Sequence, residues 1–160
     1  MIQDIISEFF FKHPSATPHL RELARKCNIS PAATVYVTKQ LIKEKVLAQE
    51  KKGPLTIFTT GEQFTQKKRI WNLEQLYKTD IIQQLLPAQA IIVFGSFSRG
   101  EDWEESDIDM AVIQPKKNVS YNKKIANRTV QVLPITRKLP KELQNNILNG
   151  IPLYGRWDPL

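Results

Sequence analysis

Ala90-Ile91-Ile92-Val93-Phe94-Gly95-Ser96-Phe97-Ser98-Arg99-Gly100 and, a few residues on, Ser106-Asp107-Ile108-Asp109-Met110-Ala111-Val112-Ile113 decide how this chain is read. Ala90 to Phe94 form an uninterrupted apolar run, the pattern of a strand covered on both faces. The run passes directly into Gly95-Ser96. A glycine there lets the backbone come close to a ligand, and a serine hydroxyl with neighbouring N–H groups can hold phosphate oxygens. Alone, a Gly-Ser after a strand is most often just a turn. In the second stretch, strand alternation places Asp107 and Asp109 on one face and Ile108, Met110 and Val112 on the other. Two carboxylates side by side repel. A divalent cation removes that cost, since Mg2+ takes one or two carboxylates together with a substrate's phosphates and water. The plainer alternative, in which Ser106-Asp107 caps a turn and Asp109 lies on a solvated edge, leaves the apolar strand and the spacing unexplained.

Upstream, residues 62–86 carry a long helical pattern through Phe64, Ile70, Trp71, Leu73, Leu76, Tyr77, Ile81, Ile82 and Leu85, stopped by Pro87. One apolar stripe on such a helix serves equally as a connector packed on a following domain or as a dimer seam, so a homodimer stays open. Further towards the start, Ile2, Ile5, Ile6, Phe9 and Phe10 give a helix over 2–12 that Pro14 closes. Thr17-Pro18 is a cap followed by a first-turn proline for a second helix with Leu20, Leu23 and Ala24 on its apolar face. Asn28 marks a turn, and Ser30-Pro31 repeats the same start for a third helix over 31–44. Two strand-like stretches, 46–50 and 55–59, then flank Lys51-Lys52-Gly53-Pro54 as a turn.

Two short helices across a tight turn, followed by a hairpin, resemble the winged helix-turn-helix of many bacterial and archaeal transcription regulators. On a wheel of about 100 degrees per residue, Val37 and Leu41 fall on one side of the third helix, with Tyr36, Lys39 and Lys43 towards the other. The resemblance implies that this outward face enters the major groove of double-stranded DNA while Lys51 and Lys52 touch phosphates. The competing account is that these lysines only solvate a surface helix.

The formal charge is +7, with 23 Lys or Arg against 16 Asp or Glu, which favours a polyanionic partner. Basic residues concentrate in the first half, among them Lys67, Lys68 and Arg69, while Glu101, Asp102, Glu104, Glu105, Asp107 and Asp109 form an acidic run in the second. We expect the first half to attract phosphate and the acidic run to attract metal. The 41% apolar content fits a folded rather than a disordered chain. No stretch reaches the roughly 20 apolar residues of a membrane span, and Asp4 and Glu8 stand where a signal peptide needs positive charge. The expectation is a cytoplasmic protein with no membrane partner. Its single cysteine, Cys27, forms no internal disulfide and is expected to be small and buried.

Gly95-Ser96, Gly100, Ser106, Asp107 and Asp109, with ten residues between Ser96 and Asp107, resemble the signature of the minimal nucleotidyltransferases of the DNA polymerase beta superfamily. A looser resemblance covers about residues 75–156, where 147–155 looks like that family's closing helix and strand. The resemblance implies an α+β fold with a mixed sheet flanked by helices. It also implies that Gly95, Ser96, Arg99 and Ser106 bind a nucleoside triphosphate, with ATP the expected one, and that Asp107 and Asp109 are the catalytic ligands of Mg2+ or Mn2+. The expected division is a winged helix-turn-helix over 1–61, a linker helix over 62–86 and a nucleotidyltransferase domain over 87–160.

The pattern departs from the family in two places. Members usually carry a third carboxylate on a later strand, and alternation along Thr129-Val130-Gln131-Val132-Leu133 puts Gln131 in that place. Glutamine is no base near neutral pH and its neutral oxygen is a weaker ligand for a hard cation. The connection through Pro115, Lys116, Lys117 and Asn118 is also short, with room for about two turns of helix before Asn127. The readings this leaves are three. The first is transfer of a nucleoside monophosphate to a nucleic-acid or protein acceptor, the latter including a toxin partner of the kind modified by related antitoxins. The second is a DNA-binding regulator or antitoxin whose pocket senses nucleotide without turnover, and the third a scaffold that mediates protein contacts alone.

Overall fold

The computed structural model describes residues 2–159; Met1, Leu160 and the Ile2 side chain, all included in the expectations above, lie outside the described residues. The chain divides into two compact units, Met1–Lys68 and Arg69–Leu160. The division falls between residues 68 and 69, inside the stretch 62–86.

In the first unit, α1 (Ile2–Lys12), α2 (Leu20–Cys27) and α3 (Pro31–Lys43) precede an antiparallel pair, β1 (Leu47–Lys52) and β2 (Leu55–Thr60). Their apolar faces meet through Ile6, Phe10, Leu23, Val37, Leu41, Leu47 and Phe58, all buried. As expected, α3 starts at the Ser30 cap, whose hydroxyl accepts the Ala33 N–H at 3.1 Å, with Pro31 in the first turn. The start of α2 differs from the Thr17-Pro18 expectation. Its cap is His19, whose Nδ1 accepts the Glu22 N–H at 3.4 Å, because the Pro18 carbonyl and His19 are drawn into pairing with Phe58 and Ile57 of β2. Cys27 is half-buried rather than buried, since it is the last residue of α2 before the left-handed Asn28 turn.

The expected continuous helix over 62–86 is two helices, α4 (Phe64–Tyr77) and α5 (Ile81–Leu85). Thr79 divides them: its hydroxyl donates to the Leu76 carbonyl at 2.7 Å and accepts the Ile81 N–H at 3.4 Å, giving the chain a local alternative to the helical ladder. Asp80 then ties in a later segment, accepting from Tyr121 at 2.9 Å, Lys123 at 3.0 Å and Gln84 at 2.6 Å.

After α5 come β3 (Ala90–Phe94), α6 (Gly95–Arg99), β4 (Ile108–Ile113), β5 (Val130–Ile135), α7 (Lys141–Leu148) and β6 (Ile151–Gly155). The strands form one mixed sheet in the order β5-β4-β3-β6, with β4 and β5 parallel and the other neighbours antiparallel. Each outer strand contains a proline, Pro134 in β5 and Pro152 in β6. One face of the sheet packs Ile91, Val93, Met110, Val112 and Val130 against Leu76, Ile81, Leu85 and Phe97. The other packs Ile92, Phe94, Ala111, Ile113 and Ile135 against Ile147 of α7. Both faces are covered, which is why β3 is apolar at every position. Between β4 and β5 the chain forms no helix, although there is room for about two turns. Tyr121 and Ile125 are instead drawn into the core, and Ala126 and Asn127 take left-handed backbone angles that reverse the chain between the bridged Ile125 and Arg128. No helix is long and apolar enough to cross a membrane among the described residues.

Candidate functional site

The antiparallel register of β3 and β4 sets Phe94 opposite Asp109, so the bend at Gly95 begins beside that carboxylate. Gly95 has φ of +75°, and a Cβ on it would lie 2.5 Å from Asp109 Oδ2. The glycine is therefore required twice, once by its left-handed backbone and once by the carboxylate it faces. The bend is held by the Ser98 hydroxyl, which donates to the Gly95 carbonyl at 2.7 Å, and by the Glu101 N–H, which donates to the Ser96 carbonyl at 3.0 Å. Gly100 closes α6 in a left-handed conformation with φ of +72°.

The parallel register of β4 and β5 sets Asp109 opposite Gln131. Asp107 stands just before β4, and its Oδ2 accepts a 2.7 Å hydrogen bond from Gln131 Nε2. Burial and the Asp107 charge both push the Asp109 carboxyl above its ordinary range, in that order of importance. The two acids are thus close enough to repel, and Gln131 stands next to both. Its amide is a neutral donor to one acid and supplies no compensating charge. Among the described residues no group of three His, Cys, Asp or Glu is gathered for a metal ion.

Two other residues expected at this site are held by nearer partners. Arg99 is exposed, with its Nε on Glu101 at 2.8 Å, and the Ser106 hydroxyl accepts the Trp103 N–H at 2.9 Å, closing the turn before Asp107. The acidic run also divides. Asp102, expected to help attract metal, is buried and bound internally: Asn72 Nδ2 donates to its Oδ1 at 2.7 Å, and Arg128 Nε donates to its Oδ2 at 3.2 Å. The same Asn72 amide donates to the Phe97 carbonyl at 2.9 Å, tying the run to α6. Sequence reasoning missed Asn72 and Arg128. Neither carries a local signal, as the three residues are brought together from separate stretches by the fold.

In the first unit, Val37 and Leu41 are buried while Tyr36, Lys39 and Lys43 are exposed, with Tyr36 at 65%. Lys51 and Lys52 are exposed at the end of β1, beside the Gly53-Pro54 turn. Lys68, counted above with this basic half, is buried.

A family model described as polymerase beta, nucleotidyltransferase, matches residues 78–158, which span α5 to β6 and contain the Gly95 bend, both acids and Gln131. No curated protein and no solved structure matches the chain.

Proposed function

Residues 78–158 are half of the chain, so it belongs to the polymerase beta nucleotidyltransferase family, and we propose that it binds a nucleoside triphosphate, ATP first, with Mg2+ or Mn2+ and transfers its nucleoside monophosphate to an acceptor. The observation that carries this reading is the acid pair itself: Asp107 and Asp109 face each other's charge beside the Gly95 bend with only the neutral Gln131 between strands. A divalent ion fits such a pair, with Asp107 and Asp109 as its ligands. When bound, it would offset the charge that develops on the phosphates during transfer. Gly95 lets a phosphate approach the backbone, Ser96 supplies a hydroxyl, and both stand next to Asp109.

In the reaction the acceptor oxygen bonds to the α-phosphorus as the bond to pyrophosphate breaks, and the acceptor hydroxyl loses its proton. Gln131 cannot take that proton, so we assign it to solvent or a phosphate oxygen. The test is release of pyrophosphate and labelling from radiolabelled ATP with Mg2+ or Mn2+, in the presence of nucleic acid and of co-purified protein. Labelling of one or the other names the acceptor. Labelling of neither, with no pyrophosphate, removes the transferase reading, and the Asp107→Ala/Asp109→Ala variant is the control.

Gln131 favours a second reading, in which the same pocket binds Mg-ATP without turnover and regulates DNA binding. For either reading we assign α2, α3 and the β1–β2 hairpin to a winged helix-turn-helix that contacts double-stranded DNA through Tyr36, Lys39, Lys43, Lys51 and Lys52. The support is the order of elements and the exposure of all five side chains. An operator shift unchanged by saturating Mg-ATP would argue against sensing.

A further inference from the structure

Past Asp109 the next acidic residue is Glu142, and the 32 residues between them contain eight Lys or Arg. Two of the eight are engaged, Arg128 by Asp102 and Lys123 by Asp80. Four others gather at one end of the sheet. Because β4 and β5 are parallel, Lys116-Lys117 and Arg137-Lys138 leave neighbouring strand ends about 4.8 Å apart. All four are exposed, and among the described residues none is in an ion pair.

Two cavities open at this end, on opposite faces of the sheet. A cavity of about 270 Å³ has an apolar floor of Ile113, Ile135 and Leu139, with Trp157, Arg137 and the Gln144 amide among its walls. Asp158 is its one carboxylate among the described residues. An open groove of about 670 Å³ lies on the other side, between Pro134, Thr136 and the segment that carries Lys116 and Lys117. Ligand pockets usually start at about 300 Å³, so the smaller cavity suits one ring system rather than a whole cofactor.

We propose that this end of the sheet binds a single nucleic-acid strand, which crosses the ends of β4 and β5 with its phosphates on the four cations and one base against Trp157. A duplex keeps its bases stacked inside and has none to place in the smaller cavity. An acidic peptide would satisfy the cations and leave the indole and the amides unused. Phosphate tracking plus an aromatic platform is how unpaired strands are held. The surface begins about 13 Å along β4 from Asp109, four residues at about 3.3 Å each, and does not depend on the transfer reading.

The test is fluorescence anisotropy of the full chain with a labelled ten-nucleotide strand, in EDTA and without nucleotide. Replacing Lys116, Lys117, Arg137 and Lys138 by Ala, with an unchanged urea midpoint, is expected to weaken binding at least tenfold at low salt. The slope of log affinity against log salt should become shallower by about 2.8, four contacts at about 0.7 each. Trp157→Leu lowers affinity without changing the slope. Asp107→Ala/Asp109→Ala leaves strand binding intact while removing any transfer, which separates this proposal from the previous one. Loss of strand binding on replacing Lys39, Lys43, Lys51 and Lys52 instead, equal affinity and slope in the quadruple variant, or displacement of the strand by polyglutamate of equal charge would each overturn it.

Discussion

Asp102 and Asp109 belong to one acidic run seven residues apart, and the fold treats them in opposite ways. Asp102 is buried with Arg128 and Asn72, so its charge is balanced inside the protein. Asp109 is partly buried against Gly95 with another carboxylate as its charged neighbour and a neutral amide across the strand. Desolvation of an anion has to be offset by something. For Asp102 the chain supplies the offset, whereas the charged neighbour of Asp109 is a second carboxylate. The contrast separates an acid that holds the fold from the acids that we propose as cation ligands.

The strongest way to break this contrast is to remove the acid pair. Asp107→Ala/Asp109→Ala is expected to reduce pyrophosphate release by about three orders of magnitude, about 4 kcal/mol, while leaving the metal-free urea midpoint the same or higher. A lowered midpoint would mean that the pair is structural. The converse experiment is Asp102→Ala, which strands the Arg128 guanidinium in the interior. We expect a loss of about 3 to 5 kcal/mol in urea unfolding, largely recovered when Arg128 is replaced by Met as well. Gly95→Ala tests the geometry between them: the new methyl meets Asp109 Oδ2, and the left-handed backbone adds about 1 to 2 kcal/mol of strain, so calorimetry should show weakened Mg-ATP binding.

Gln131→Glu sharpens the comparison by adding a third acid. It removes the hydrogen bond to Asp107 and adds repulsion, so the metal-free fold should lose about 1 kcal/mol while Mn2+ affinity rises. Unchanged Mn2+ affinity would show that Gln131 is not beside the ion. The smallest effect concerns Asp80, an exposed acid paired with exposed Lys123, whose carboxyl is held at about 2 by Lys123 and Tyr121, below the ordinary 3.8. Its folded value lies below the unfolded one, so its contribution is present above about pH 4 and is lost as pH falls towards 2. Asp80→Asn should flatten the acid limb of a stability profile slightly over that window.

Much of the second unit could be read in advance, because its strands are set by local pattern. The apolar run 90–94 became β3 throughout, and the aspartate alternation reached β4 with Asp107 just outside it. Gln131 was placed correctly beside the acids, since alternation along β5 fixes which residues share a face. The errors lie where a distant partner outweighs a local signal. His19 displaced Thr17 as the α2 cap because β2 captures the preceding residues, and Thr79 divided a helix whose apolar stripe continues across it. The loop 115–127 was read only as a short connection, and the burial of Tyr121 and Ile125 in the core is not revealed by composition. Asp102 could not be told from its acidic neighbours for the same reason, as its partners come from residues 72 and 128.

The sheet ends in proline on both sides. Pro134 has no N–H to offer beyond β5, and Pro152 lies in β6 where the register to β3 already shifts between Ile91 and Ile92. A newcomer strand at either margin would find its ladder interrupted at once. Growth of the sheet by backbone pairing, and with it amyloid-like stacking and strand exchange between copies, is thereby opposed by chemistry at its borders.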